Sequence, residues 1–339
     1  MKRVIIFGGT GFIGTHTALR LLRGPSLEQI LLVDIHPPRV APYTKDLQQA
    51  LSTGKVRFIQ HDIRNPFFAD EFAAPDIIFN FAAVHREPGH QPHEYYETNL
   101  HGAANVCAYA DAVGCQRIVF TSSISPYGPT EESRHEDSLP VPETPYGGSK
   151  LVAEKMHIAW QVAAPGRKLL IVRPGVVFGP GEGGNVTRLV RSLVKGYFVY
   201  MGNRETRKAG GYVKELVNVF LFGLDALENS DTGVLLLNFS MYPTPALHEY
   251  VSAICKAAGF RRSPLSVPRK LLLGISYPIE GVASIFGIRQ PISPTRVRKL
   301  YRSTNIEARR LQEMGYRYQY TIEEAFADWR NDKPEDFVP

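Results

Sequence analysis

The chain has 339 residues, of which 44% are hydrophobic and 21% are charged, the composition of an ordinary globular protein. Its three widely spaced cysteines form neither a disulfide framework nor a zinc pattern, which favours a reducing cytoplasm and predicts no metal site. The net charge of +6 favours an anionic ligand, but basic and aromatic residues do not alternate as they do in nucleic-acid-binding proteins.

Short apolar runs alternate with helical stretches through the first half of the chain. The predicted strands are residues 3–7, 29–34, 56–60, 76–82, 117–122, 169–174 and 234–240, and the predicted helices include 12–23, 94–113 and 146–163. Nearly continuous apolar strands separated by helices are typical of a doubly wound parallel α/β sheet, the Rossmann architecture. We expect residues 1–174 and about 205–240 to form this domain. Residues 175–204 and 241–330 would form a smaller, mostly helical lobe that is interleaved with it in sequence.

The first predicted strand leads into a glycine-rich loop and a helix, in the sequence "VIIFGGTGFIGTHTALRLL". Gly8, Gly11 and Gly14 would let the backbone approach a pyrophosphate at the helix N-terminus, although a tight strand–helix turn alone would need similar glycines. Asp34 ends the second predicted strand, twenty residues after Gly14. A carboxylate at this place bonds an adenosine ribose and repels a 2′-phosphate, so the pattern favours NAD, while Arg39 nearby leaves NADP open.

A second pattern, "YGGSK", places Tyr146 and Lys150 four residues apart on one face of a helix. A free tyrosine has a pKa of about 10. We expect the nearby ammonium group and a positively charged nicotinamide to lower this pKa toward the range of a base at neutral pH. An exposed helix could carry such a pair by chance, but Ser122 and Ser123 end the fifth predicted strand, where parallel sheets present ligands.

These patterns occur together with others in one order along the chain. They are "GGTGFIG", Asp34, "HDIR" (61–64), "NFAA" (80–83), "YYETNLHGAANV" (95–106), "TSSISPYG" (121–128), "YGGSK" (146–150) and "RPGVVFGPG" (173–181). Over residues 1 to about 240 the set resembles the extended short-chain dehydrogenases/reductases of the NAD-dependent sugar epimerase/dehydratase family.

The resemblance implies NAD as the cofactor and assigns catalytic roles to three residues. Tyr146 would be the acid/base, Lys150 would tune it and hold the nicotinamide ribose, and Ser123 would bond the reacting oxygen. Asn99 would be a structural residue near the site. The cofactor-binding residues implied in this way are Gly8, Gly11, Phe12, Ile13, Gly14, Asp34, Asp62, Ile63, Ala82, Ala83, Tyr146 and Lys150.

The stretch "NFAAV" (80–84) is followed by His85-Arg86-Glu87, three ionisable residues after an apolar run. The resemblance places this point beside the substrate, so we expect the triplet to line the site of an anionic, hydroxyl-rich ligand. Arg86 suits a diphosphate or sugar oxygen, because its planar guanidinium group makes paired hydrogen bonds. The alternative is a solvated loop with an internal Arg–Glu pair. Together with three residues from later in the chain, the predicted substrate contacts are His85, Arg86, Ser123, Asn185 and Lys208.

The later motifs point to one branch of the family. "AAVHRE", "RPGVVFGPGEGGNVTRLVRSLVKGYFVYMGN" and "GGYVKELVNVF" resemble a bacterial subgroup, the undecaprenyl-diphospho-N-acetylglucosamine 4-epimerases of O-antigen assembly. The chain departs from the soluble nucleotide-sugar epimerases at Val176, at Lys208 and in the segment "YVKE" (212–215). These departures weaken the expectation that it binds a nucleotide with the usual residues.

The reaction implied is C4 epimerisation of an N-acetylhexosamine linked to UDP or to a polyprenyl diphosphate, through a transient 4-keto sugar, in surface polysaccharide biosynthesis. An NAD(P)H-dependent 4-keto sugar reductase would use the same residues. A 4,6-dehydratase is disfavoured, because Ser123-Ile124-Ser125 stands where those enzymes usually carry Thr-Asp-Glu. A non-catalytic NAD-binding regulator typically lacks the tyrosine or the lysine, and this chain has both.

Two further features concern partners. Residues 271–288 are apolar but short for a membrane span and are interrupted by Pro278 and Glu280. With the basic run 296–302 they predict either a segment at the inner face of the membrane or two core helices of the lobe. The resemblance also implies a homodimer in which helices 94–113 and 146–163 pack across a two-fold axis. The faces expected to meet carry Val106, Tyr109 and Ala110 on one helix, and Val152, Met156 and Trp160 on the other.

Overall fold

Seven parallel strands form the central sheet of the described chain. The structure is a computed structural model that describes residues 1–68, 72, 74–87, 89–129, 132–201, 203–267 and 304–338. In chain order the strands are β1 (Arg3–Phe7), β2 (Gln29–Asp34), β3 (Val56–Gln60), β4 (Ile77–Asn80), β5 (Arg117–Thr121), β6 (Lys168–Pro174), β7 (Val176–Phe178), β8 (Tyr200–Met201), β9 (Gly210–Tyr212), β10 (Val234–Phe239) and β11 (Ser266–Val267). The central sheet has the order β3-β2-β1-β4-β5-β6-β10. This confirms the doubly wound fold predicted from the apolar runs.

Helices cover both faces of this sheet. They are α1 (Phe12–Leu22), α2 (Lys45–Ser52), α3 (Pro92–Ala112), α4 (Pro145–Val162), α5 (Asn185–Val194), α6 (Val213–Glu228), α7 (Leu247–Ala258), α8 (Arg309–Glu313) and α9 (Ile322–Asp332). In β1, Val4 and Ile6 join a core with α1, α2 and α6, while Ile5 and Phe7 join a second core with α3 and α4. Alternate residues of each strand are therefore buried on opposite faces, which explains why the strands are apolar throughout.

Four strands end at the edge of the sheet where the site residues lie. Gly8 follows β1, Asp34 ends β2, Phe81 follows β4 and Ser122 follows β5. Because the strands are parallel, their carboxyl ends meet at one edge, and ligands of open α/β sheets bind there. The topology thus brings the glycine loop, the ribose carboxylate and the serine segment together.

The chain after β6 builds a lobe and then returns to the sheet as β10. Outside the central sheet, β7 pairs with β9 and β8 pairs with β11. The lobe has a core of its own, with Phe178, Tyr212, Tyr250, Phe326 and Trp329 at its centre. The domain boundaries 1–174 with 205–240, and 175–204 with 241–330, stay a prediction.

One expectation about the surface of α3 and α4 is wrong. Val106, Tyr109 and Ala110 of α3 and Trp160 of α4 lie in the chain's own core against the sheet, and Val152 alone among the six residues named above is exposed. Periodicity identifies an apolar helix face but does not say whether this face packs on the same chain or on a partner.

The segment 269–302, for which a membrane-surface role was one prediction, lies outside the described residues. Among the helices that the structure does describe, none combines the length and the hydropathy that crossing a bilayer requires.

Candidate active site

The glycine loop after β1 leaves no room for side chains. Gly8 has a φ of +73°, in the left-handed region, and a Cβ atom there would lie 2.7 Å from the amide nitrogen of Ala82. A Cβ atom on Gly14, in the first turn of α1, would collide with the carbonyl oxygen of Gly8. Gly11 is the N-cap of α1 and provides no side-chain cap. The amides at this helix N-terminus are therefore open to an anion, as the binding of a pyrophosphate requires.

Asp34 faces this loop from the neighbouring strand. Its carboxylate accepts a hydrogen bond from the backbone amide of Thr10 at 3.2 Å. The chain after β3 comes to the same place, since the amide of His61 donates to the carbonyl of Asp34 at 2.9 Å. Asp62 and Ile63 follow directly, so the structure brings together the residues predicted for the adenosine end of NAD.

The segment after β3 is itself held in place. The Asp62 carboxylate forms an ion pair with Arg64 at 2.5 Å, and this contact lowers the pKa of Asp62. The Asn105 side chain of α3 donates to the carbonyl of Ile63 at 2.8 Å. Gly102 of α3 lets Ile63 approach the helix closely. The glycine loop, the uncapped helix N-terminus and the carboxylate of Asp34 together fit NAD.

Ser123, Tyr146 and Lys150 meet at the carboxyl edge of the sheet. Ser123 follows β5, and its hydroxyl is close enough to the phenol of Tyr146 to act on the pKa of that group. Thr144 caps α4 by accepting the amide of Gly147 at 3.1 Å, which fixes the first turn that carries Tyr146. Lys150 lies one turn further along the same helix and is buried. The three predicted catalytic residues therefore form one cluster, and their roles stay predictions.

The phenol of Tyr146 is a weak acid in the chain alone. Burial raises the pKa of Tyr146 to about 12; the hydroxyl of Ser123 opposes this rise, and the carboxylate of Glu87 adds to it. The expectation that Lys150 and a positively charged nicotinamide together lower this pKa concerns the complex with NAD and stays a prediction. Burial lowers the pKa of Lys150 to about 7, and the carboxylate of Glu154 opposes this shift.

The Lys150 side chain packs against the face of an aromatic ring. Its Nζ lies 4.2 Å from the ring centroid of Phe120, and the same ring stacks on His157 at 4.1 Å. Burial lowers the pKa of His157 to about 4, so its imidazole is neutral. Asn80 Nδ2 lies 3.2 Å from His157 Nε2, and the carbonyl of Ala153 lies 2.7 Å from Nδ1. With Nδ1 donating to the carbonyl, Nε2 accepts from the amide of Asn80.

Glu154 is a site residue that was not identified from the sequence. Its carboxylate is buried, accepts hydrogen bonds from Arg173 Nε at 2.8 Å and Nη2 at 2.6 Å, and also accepts the hydroxyl of Ser122. It also acts to raise the pKa of Lys150. One signal was available: Glu154 stands four residues after Lys150, and hence on the same face of α4. Its partner, Arg173, is distant in sequence and gave no such signal.

The triplet 85–87 lies beside the catalytic helix. Tyr95, whose ring centroid lies 6.1 Å from that of Tyr146, donates its hydroxyl to the carbonyl of Arg86. All three side chains of the triplet are exposed. Among the residues that the structure describes, Arg86 forms no ion pair with Glu87, so the internal pair expected of a solvated loop is not made.

Asn99 connects this loop to the catalytic helix, in agreement with its expected structural role. Its side chain bonds both backbone groups of Val84, at 2.9 and 3.2 Å, and donates to Ser149 Oγ at 2.9 Å. The Ser149 hydroxyl in turn donates to the carbonyl of Tyr146 at 2.9 Å. One buried side chain thus sets the distance between the predicted substrate loop and the acid/base.

The structure places Asn185 and Lys208 on separate segments after β7. Asn185 is the first residue of α5, and its Oδ1 accepts a hydrogen bond from Arg188 at 2.9 Å. The backbone of Lys208 bonds Pro245 at 2.9 Å and the hydroxyl of Tyr250 at 3.0 Å. Their substrate contacts stay predictions. In the described ranges no three His, Cys, Asp or Glu side chains group closely enough to hold a metal ion.

Known proteins resemble this chain over most of its length. An N-acetyl-alpha-D-glucosaminyl-diphospho-ditrans,octacis-undecaprenol 4-epimerase of Escherichia coli O157:H7 is 27% identical over 321 residues, which are 94% of this chain and 91% of that protein. A UDP-glucose 4-epimerase of Oryza sativa subsp. japonica is 31% identical over 58% of this chain and 55% of its own length.

Solved structures agree on the fold. A UDP-glucuronic acid 4-epimerase from Bacillus cereus in complex with NAD superposes with a TM-score of 0.73 at 15% identity, over 99% of both chains. MoeE5 in complex with UDP-glucose and NAD superposes with a TM-score of 0.72 at 22% identity, over 99% of this chain and all of that one. The model of the NAD dependent epimerase/dehydratase family matches residues 4–236. The protein therefore belongs to the NAD-dependent epimerase/dehydratase family, with NAD as its cofactor, as its motifs predicted.

Proposed function

We propose that the protein is an NAD-dependent sugar 4-epimerase that acts on a diphospho-linked N-acetylhexosamine in surface polysaccharide biosynthesis. The observation that carries this proposal is the cluster of Ser123, Tyr146 and Lys150 at the sheet edge that also carries the glycine loop. The similarity of nearly the whole chain to a 4-epimerase of an undecaprenyl-diphospho sugar supports this choice of substrate class.

Tyr146 is the acid/base of the proposed reaction. The chemistry that bound NAD supplies is the uptake and return of one hydride at C4 of the sugar, through a transient 4-keto sugar. Tyr146 takes the proton of the C4 hydroxyl at its phenolate oxygen and later gives it back. Ser123 bonds the same oxygen, and buried Lys150 binds the cofactor ribose. Because the phenol is buried and its pKa is high, the phenolate that accepts the proton would need the positive charge of an oxidised nicotinamide beside it, a charge that is present before the hydride is transferred.

Epimerisation also requires the sugar to present its other face before the hydride returns. The 4-keto sugar would turn about its diphosphate linkage, so the diphosphate needs a firm anchor while the sugar stays loosely held. Arg86 suits the anchor, because its guanidinium group is exposed beside the catalytic helix and can make paired hydrogen bonds. Lys208 and Asn185 are further candidates for phosphate or sugar contacts.

Product analysis tests the reaction type and the carrier. The purified protein would be incubated with UDP-N-acetylglucosamine and, separately, with polyprenyl-diphospho-N-acetylglucosamine, without added reduced cofactor. We expect the C4 epimer with unchanged mass from the polyprenyl-linked substrate. If only the UDP-linked sugar were epimerised, UDP would be the carrier in the natural substrate. A requirement for NAD(P)H, with a product heavier by two hydrogens from the 4-keto sugar, would identify a reductase and contradict the proposal.

Tyr146→Phe should lower turnover by about a hundredfold or more, because it removes the hydroxyl that transfers the proton and keeps the ring volume. NAD should still bind, since the glycine loop and Asp34 are unchanged. Steady-state kinetics and NAD titration measure the two effects separately. Turnover close to that of the unmodified protein would rule out the role given to Tyr146.

Arg86→Ala should weaken substrate binding without changing NAD affinity or the fold. A lost charge-assisted hydrogen bond costs about 1.5–3 kcal/mol, so kcat/KM should fall roughly tenfold to a hundredfold. Arg86→Lys should recover only part of this loss, because an ammonium group cannot reproduce a planar paired contact. Arg20→Ala, on exposed α1 surface, is the matched control. If both Arg86 variants behave like the control, the triplet is a solvated loop.

We also propose a homodimer and a cytoplasmic location. Tyr96 of α3 and Val152 and Val162 of α4 are exposed, and they supply an apolar outer face on the two helices that the family pairs across a two-fold axis. Light scattering at micromolar concentration should give twice the chain mass of 37.9 kDa. Val152→Asp should shift the protein toward monomers and Val40→Asp should not. A monomeric parent protein would contradict the dimer. The three unpaired cysteines support a reducing compartment.

A further inference from the structure

Three large apolar side chains are exposed on one side of the lobe. Tyr197 follows α5 and is 66% exposed, Leu265 precedes β11 and is 77% exposed, and Met201 of β8 is 38% exposed. Val194 at the end of α5, Tyr200 of β8 and Cys255 of α7 are buried in the lobe core. The lobe core is therefore well packed beneath these three side chains. Their exposure to solvent is a separate feature of the surface, of the kind that marks an interaction site.

The segments that carry these side chains are joined to one another. The amide of Tyr200 donates to the carbonyl of Leu265 at 2.8 Å, and β8 pairs in parallel with β11. At the other end, Arg262 donates to the carbonyl of Val194 at 3.2 Å, and its guanidinium group lies against Gly196. Residues 194–201 and 262–267 thus form one continuous surface.

Basic residues border this surface. No Asp or Glu occurs in residues 183–204 or in residues 250–267, which together carry seven Lys and Arg residues. Three of these seven, Lys195, Arg261 and Arg262, are exposed next to the apolar side chains. Within the described part of the chain, neither Lys195 nor Arg261 has an ion-pair partner. We call the six residues Lys195, Tyr197, Met201, Arg261, Arg262 and Leu265 the lobe patch.

Acidic side chains packed nearby do not cancel this charge. The carboxylate of Glu205 contributes to raising the pKa of Tyr200 in β8, so it lies near this surface. It already pairs with Arg204 at 3.4 Å and with His248 at 3.3 Å. In the last turn of α5, Arg191 lies 3.6 Å from the buried carboxylate of Asp336, which is therefore already paired. The lobe patch therefore combines exposed aromatic and aliphatic groups with a local excess of positive charge.

We propose that the lobe patch docks on the surface of an anionic phospholipid bilayer. Tyr197, Leu265 and Met201 would enter the interfacial region, and Lys195, Arg261 and Arg262 would contact lipid phosphates. A second copy of the chain is a poorer occupant, because a symmetric contact would bring two positive surfaces together. The proposal goes beyond the enzymatic function and does not depend on the identity of the sugar.

Vesicle flotation with the full-length protein tests this docking. The probes are phosphatidylcholine vesicles with and without phosphatidylglycerol, at low and at high salt. We expect the protein to float with the anionic vesicles alone and to be released by salt. Lys195→Ser/Arg261→Ser should weaken binding roughly thirtyfold, given the usual contribution of two basic residues at an anionic surface. Tyr197→Ser/Leu265→Ser should weaken it about tenfold or more.

Matched variants control for general loss of charge and apolar surface. Arg20→Ser/Leu139→Ser removes one exposed basic and one exposed apolar side chain far along the chain from the lobe patch, and should bind like the parent protein. Far-UV circular dichroism and thermal unfolding would show that every variant is folded. Absence of flotation, equal flotation with neutral vesicles, or lobe-patch variants that bind like the control would each overturn the proposal. A change in molar mass instead of vesicle binding would assign the patch to contacts between copies.

Discussion

The buried ion pair between Glu154 and Arg173 is the interaction on which the active site depends. It joins α4 to β6, and Ser122 at the end of β5 donates to the same carboxylate. The side chains of the pair are only 2% and 5% exposed. Loss of either partner would leave a buried charge without compensation, at a cost of about 3–5 kcal/mol. The helix that carries Tyr146 and Lys150 therefore has one stable position against the strands.

The same pair links the site to the strand that enters the sheet last. The guanidinium carbon of Arg173 lies 4.7 Å from the ring centroid of Tyr127, and the hydroxyl of Tyr127 donates to Asn238 at 2.8 Å. The backbone amide of Asn238 donates to Glu136 at 2.9 Å. Burial raises the pKa of Glu136, which is held in place by backbone amides. A chain of polar contacts thus runs from the catalytic helix through β6 to β10, so the return of the chain from the lobe is coupled to the geometry of the site.

A second constraint is the lack of space around the glycine loop. The backbone of Ala82 excludes a side chain at Gly8, and the loop itself excludes one at Gly14. Asp34, at the end of β2, accepts a hydrogen bond from the loop amide of Thr10. These contacts join residues that are close in sequence or that lie on neighbouring parallel strands. A sequence motif can therefore predict them. The contacts that hold Lys150 are different in kind, because Phe120 and Asn80 come from separate strands and approach only when the sheet forms.

The parallel sheet, the glycine loop and the spacing of Tyr146 and Lys150 could be predicted from the sequence, because the period of apolar residues, the positions of glycines and the spacing along a helix are local properties. The strands at 3–7, 29–34 and 56–60 have the predicted bounds, and α4 lies within one residue of its prediction. The sequence could not predict that Tyr146 is a weak acid in the chain alone, that Glu154 forms an ion pair, or which surfaces of α3 and α4 face outward. The physical reason is that desolvation, ion pairing and exposure depend on atoms brought from distant parts of the chain, which no local pattern records.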